Sequence, residues 1–291
     1  MSAQASKNWK QIREVYVGSH RSGFLVKDDS GDLRLMVTLD AAGNGYEIED
    51  FVSTLSGLVG LVHSNIARVY ELTKDENGKQ VAILEHAFGD EIVDILDGVS
   101  TLTFIAHFKQ VFEALAFIHK LGLLHLHLSP RYVITDLVNG ITKVVDCWHF
   151  HSRDNVSKGR FHFDPRYVAP EVVLNGRVDE RSDLYSVGLL MLEAWGGGPN
   201  IFPFRTECRD KQSLRQRISE EKDPIYMWKN AHDYFSPPEL GNELVLKLTK
   251  KNPDKRGFES AQAVVNYMTD IWPDIVKPAN ELYGRIMTTM R

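Results

Sequence analysis

Cysteine is scarce in this chain: Cys147 and Cys208 are the only two among 291 residues. Two thiols cannot build a disulfide framework or a cysteine metal cluster, which excludes a small cross-linked secreted scaffold and a zinc ribbon. An excess of one charge is missing too. Lys and Arg number 34 against 39 Asp and Glu, a formal charge of −5, and that balance favours neither nucleic acid nor an acidic membrane surface as the main partner. No uninterrupted apolar run reaches the roughly 18 residues of a membrane span, no apolar signal segment is seen, and there is neither an internal repeat nor a low-complexity tract. The expectations are no nucleic acid, no membrane and a cytoplasmic location. With 43% hydrophobic and 25% charged residues, the chain can bury the core of one large or two small domains.

The first third reads as strands around one helix. "VYVGSH" and "SGFLVKDDSGDLRLMVTL" alternate in hydrophobicity and carry a turn signal at Asp29-Ser30-Gly31-Asp32, as in an antiparallel meander. "YEIEDFVSTLSGLVGLV" has helical spacing weakened by Gly57 and Gly60, and "ARVYEL" and "QVAILEHAF" add two strands around Asn77-Gly78. A hinge is expected at Ala87-Phe88-Gly89. Beyond Phe104 helices dominate. "FIAHFKQVFEALAFIHKLG" is periodic and stops at Gly122, a helix cap, while "SDLYSVGLLMLEAW" is apolar nearly all round and predicts a buried central helix.

Gly18-Ser19-His20-Arg21-Ser22-Gly23, "LMVT" at Leu35 to Thr38, "HLHLSPRYVI" from His125, "DCW" at Asp146 to Trp148, Ala169-Pro170-Glu171, Asp183 and "NPDKRGF" around Arg256 follow one another in order. In that order they resemble the motifs of a eukaryotic protein kinase domain over nearly the whole chain. The resemblance implies an α+β, bilobal fold: residues 1–87 a small β-rich N-lobe with one regulatory helix, residues 88–291 a larger helical C-lobe with a C-terminal tail.

Within that pattern, Thr38 stands where the family has its phosphate-contacting lysine and Thr54 where it has the paired glutamate. Leu126 replaces the catalytic-loop arginine, His127 the aspartate, Ser129 the lysine and Tyr132 the metal-binding asparagine. Phosphoryl transfer depends on positioning and on neutralising phosphate charge, and one missing donor commonly costs about 10² to 10³ in rate. Gly18, His20, Gly23, Met36, Ile134, Asp146 and Trp148 then line a vestigial cleft, with Met36 and Trp148 narrowing it. No cofactor and no metal is expected, and ATP binding is expected to be weak or absent. Glu171, Asp183 and Arg256 are the structural set: the first and last as a buried ion pair, Asp183 as acceptor for catalytic-loop amides. The histidines at 125, 127, 149, 151 and 162 raise a zinc site, weighed below solvated or core histidines, and His125 reads as a core histidine.

The resulting expectation is a pseudokinase, no enzyme, serving as a non-catalytic protein-interaction scaffold or allosteric regulator of a protein partner. The alternative is an unorthodox nucleotide-binding phosphoryl or nucleotidyl transferase using Asp146, for which Lys27 or Lys143 would have to reach the phosphates. In the family, the stretch from Asp146 to Glu171 binds peptide substrate and is often ordered by phosphorylation. Leu126 removes the arginine that would receive that phosphate, and Asp164 stands in place of the usual threonine near the substrate pocket.

Overall fold

The computed structural model describes residues 9–17, 21–39, 45–96, 99–147, 150–152, 156, 163–197, 205–224, 239–271 and 273. The chain folds as two unequal parts, a sheet-rich N-terminal region and a helical C-terminal one. Strands β1 (Lys10–Val17), β2 (Arg21–Lys27), β3 (Leu33–Leu39), β4 (Val69–Lys74) and β5 (Gln80–Glu85) make an antiparallel sheet in the order β1-β2-β3-β5-β4. The β2–β3 hairpin turns where Asp28 accepts the amides of Ser30 at 3.0 Å and Asp32 at 2.9 Å, an Asx turn that spares these amides from bonding to water. Helix α1 (Gly45–Leu58) crosses between β3 and β4. Its Phe51, Leu55 and Leu58 share one core with Val37, Leu39 and Val69 of the sheet, the i, i+4, i+7 spacing of an amphipathic helix laid on a strand face. The helix stops at Leu58, four residues short of the apolar spacing, because Val59 bridges to Val69.

Gly89 joins the two parts. Its φ is +121°, and a Cβ there would lie 2.2 Å from the carbonyl oxygen of Thr135, so only glycine lets the two backbones approach this closely. The approach lets β6 (Asp90–Glu91) pair with β8 (Val133–Asp136), Asp90 opposite Thr135, and β8 in turn pairs with β9 (Ile141–Val144).

Helix α2 (Ile92–Ile95) follows, then α3 (Thr101–Lys120), which opens on Ser100, whose hydroxyl accepts the Thr103 amide at 3.1 Å. It ends at Gly122, φ +75°, a left-handed residue that closes the last turn. By length and composition α3 could cross a membrane, but Phe104, Phe108, Val111, Phe112 and Leu115 are buried in the protein core. Each large apolar side chain so buried contributes roughly 1.5–3 kcal/mol, so α3 is held as a core helix. Strands β7 (Leu123–Leu124) and β10 (His151–Ser152) pair antiparallel. Helices α4 (Pro170–Val173), α5 (Glu180–Leu192), α6 (Lys211–Glu220), α7 (Glu239–Leu248) and α8 (261–271) complete the lobe. Every residue of α5 from Ser182 to Leu192 is buried, as its all-round apolar pattern predicts.

Candidate active site

The positions that correspond to the family's nucleotide site fall on β3, on the β8–β9 hairpin and on α1. On β3 the register sets Met36 opposite Phe24 and Ile83, and Thr38 opposite Ser22 and Val81. Gly23, opposite Val37, is buried. The Thr38 hydroxyl donates to the Ser22 carbonyl at 3.4 Å, a contact within the sheet. Thr54 on α1 bonds elsewhere: its hydroxyl donates to the carbonyl of Phe150 at 3.1 Å. The two are not bonded to each other, and α1 is tied instead to the start of the segment that follows Asp146. Both lysines considered for the phosphates lie beside other groups. Lys143 donates to the Ser64 carbonyl at 2.9 Å and pairs with Glu85 at 3.0 Å, and Lys27 is exposed and reaches the turn at Gly31. Gly18, His20 and Trp148 lie outside the described residues.

The catalytic loop runs through a 3₁₀ turn at Pro130–Tyr132 into β8. Tyr132 is buried, its ring 5.0 Å from that of His127 and 6.0 Å from that of His125. His125 is fully buried; its Nδ1 accepts the His127 amide at 3.4 Å, and burial pulls its imidazole down to about 4, so it is neutral in neutral solution. It is a core histidine. Leu126 is buried with a φ of +56° and packs with Leu124 and Val156. Ile134 and Asp146 are half-buried, and Asp146 is also left-handed, φ +61°. Cys147 is fully buried, donates to the Ala67 carbonyl at 3.1 Å, and burial pushes its thiol up to about 12. That thiol packs and does not react.

Magnesium prefers oxygen ligands. Among the described residues the family's metal positions offer one carboxylate, Asp146, and a phenol ring at Tyr132, so this donor set does not fit a magnesium nucleotide in the family's manner. Among the described residues no three His, Cys, Asp or Glu side chains gather as a metal site; His149 and His162 lie outside them.

The segment end is built from charge. Glu171, on α4, is 4% exposed and meets Arg256 through two bonds of 2.6 and 2.8 Å. Arg256 also donates to the carbonyls of Lys250 and Arg181, and Ser182 donates to Glu171 at 2.7 Å. Asp183, wholly buried, accepts the amides of His125 at 2.8 Å and Leu126 at 2.7 Å and meets His119 Nε2 at 2.9 Å. Burial pushes the Asp183 carboxyl up, but the bond and charge of His119 outweigh it and hold the acid below its ordinary value. Burial likewise pulls His119 down, and Asp183 and Glu180 together raise it.

Two further anchors escaped the sequence reading. Arg205, 1% exposed, pairs with Glu221 and donates to the carbonyls of Pro165 and Val168. Tyr167 donates its hydroxyl to Glu193. No short-range signal marks either, since each joins residues 16 to 40 positions apart.

A family model described as the protein kinase domain matches residues 41–267. The chain belongs to the protein kinase family. Among its relatives are Aurora kinase A-A and Aurora kinase A-B of Xenopus laevis, each 29% identical over 225 residues, covering 75% of this chain and 50% of theirs. Calcium-dependent protein kinase 5 of Plasmodium falciparum (isolate 3D7) is 31% identical over 156 residues, covering 51% of this chain and 26% of its own. The chain thus spans half or less of the length of these curated relatives. The expectation that the chain is no enzyme is overturned by the family match and by relatives that are all named as kinases: the comparisons point to an enzyme. The substitutions at Thr38, Thr54, His127 and Tyr132 record which family groups are absent and do not by themselves make the activity absent.

Proposed function

We propose that this kinase-family domain works on a protein partner held at the end of its activation segment, around residues 163–171, and that it acts as a protein-interaction scaffold or allosteric regulator. The observation that supports this is the contrast in how charge is used. The segment end is anchored by the buried ion pair Glu171–Arg256 and by the buried Arg205 paired with the half-buried Glu221, whereas Thr38 and Thr54 at the phosphate end bond to main-chain carbonyls. A rigid, preorganised surface loses less entropy on binding. The second reading is phosphoryl transfer to that partner, favoured by Asp146 and by the names of the relatives.

The experiment is quantitative binding to an isolated partner, beside transfer of labelled phosphate to it. Arg166, bonded to Asp164 at 2.7 Å on the segment surface, is reversed as Arg166→Glu, and Asp146→Asn alters the cleft. A complex weakened about tenfold or more by the first change alone, some 1.4 kcal/mol, supports the scaffold or regulator. Phosphate transfer that vanishes with Asp146→Asn establishes the second reading beside the first, and a complex untouched by Arg166→Glu removes the first.

A further inference from the structure

Among the described residues, Arg205 is the largest whose side chain the fold buries almost completely. A guanidinium in such a place must have its donors satisfied, because an unpaired buried charge costs several kcal/mol. Nε lies 3.0 and 2.9 Å from the two oxygens of Glu221, and Nη2 lies 2.6 Å from Oε2 and 3.5 Å from the Tyr185 hydroxyl. Nη1 does something different. It donates to the carbonyls of Pro165 at 3.2 Å and Val168 at 3.1 Å, the two ends of one tight loop in which the amides of Tyr167 and Val168 bond back to the Asp164 carbonyl. Ser186 of α5 holds the third carbonyl, that of Tyr167, at 2.9 Å.

We propose that Arg205 is the positioning residue of this loop: one planar fork, fixed from behind by Glu221, sets the shape of residues 164–168 and so selects which peptide backbone can lie across them. The proposal rests on the reading that this face receives the protein partner. Lysine could keep the charge opposite Glu221 but offers a single ammonium in place of the fork, so it cannot hold both carbonyls and the carboxylate in one plane. Glu221→Gln does the converse, removing the counter-charge while the fork can still reach the carbonyls.

Hydrogen exchange at the Tyr167 and Val168 amides separates these roles in the full chain. Arg205→Lys is expected to speed exchange at these amides about tenfold or more while α5 keeps its protection. Glu221→Gln, which keeps a carbonyl oxygen for the fork, is expected to speed them less than the lysine variant does. An array of random-sequence peptides, probed with wild type and Arg205→Lys, should change its pattern of bound peptides with the lysine variant. Unchanged loop exchange in Arg205→Lys, loop and α5 opening together, or Glu221→Gln opening the loop as much as the lysine variant would each overturn the proposal. A wild-type chain that binds no peptide on the array counts against the partner reading alone, since the exchange result stands independently.

Discussion

The two ends of the stretch from Asp146 to Glu171 are fastened by different chemistry. Among the described residues, the fastenings at its start include neutral ones: Thr54 to the Phe150 carbonyl, Cys147 to the Ala67 carbonyl, and the two-residue pairing of β10 with β7. At its end they include buried charges, Glu171 with Arg256 and Arg205 with the half-buried Glu221. A neutral hydrogen bond contributes about 1 kcal/mol, whereas breaking a buried ion pair from one side costs roughly 3–5 kcal/mol. Each of these neutral bonds is cheaper to break than either ion pair at the end, so a partner that docks at the end meets a firmly fixed surface.

Arg256→Ala should test the strong end with the largest effect. It strands Glu171 and removes the bonds to the Lys250 and Arg181 carbonyls, and urea unfolding should register a loss of roughly 3–5 kcal/mol. A loss below about 1 kcal/mol would place the pair with exposed ones and remove the contrast between the two ends.

His125 sharpens the comparison through pH. Its ring meets that of Phe150 edge-on, with centroids 5.2 Å apart. Free histidine titrates near 6.5, and this one is held down to about 4. The unfolded chain therefore binds the extra proton between those values, so stability is full above about 6.5 and falls as pH drops toward 4. His119 is shifted up and Asp183 down; the first loses its contribution only as pH rises through its raised value, the second only as pH falls through its lowered one, so neither masks this window. His125→Gln should flatten the pH dependence of unfolding by up to about 1.4 kcal/mol per pH unit.

At the weak end, Thr54→Val deletes one hydrogen bond at nearly constant shape, for about 1 kcal/mol. Exchange should quicken at Phe150 to Ser152 and stay slow around Glu171; quickening at both would join the ends into one unit. The smallest change belongs to Asp146→Asn. Asparagine tolerates left-handed backbone, and stability should stay within about 0.5 kcal/mol in a denaturant titration, while any labelled-phosphate transfer should disappear.

The sequence revealed the architecture because its signals are local. Alternation around Asp29-Ser30-Gly31-Asp32 marks the β2–β3 hairpin, and the apolar character of Leu184 to Leu192, interrupted only by Ser186, marks α5. Motif order also pointed to Glu171, Asp183 and Arg256, since each sits in a recognisable neighbourhood. Arg205 lies in "FPFRTECRDK", where it reads as one surface charge among several; only the folded chain brings Pro165, Val168 and Glu221 around it. Thr54 was legible as a departure from glutamate, but its bond spans 96 positions, and no spacing rule foretells a carbonyl as its partner. The end of α1 was overestimated because helical spacing at Val59 and Val62 continues past the point where the backbone leaves to bridge Val69.

Gly89 is exposed, and accessibility alone would mark it as freely replaceable. Thr135 makes it the opposite. In a saturation mutagenesis library, this position should behave like the deepest interior, rejecting even alanine, because the first added carbon would push into the main chain of β8, against which β6 pairs. The flanking Phe88, 60% exposed, should accept most substitutions. A map of tolerance along the linker would then show one forbidden position beside permissive ones, and reading the linker as slack would misjudge how firmly the two lobes are indexed to each other.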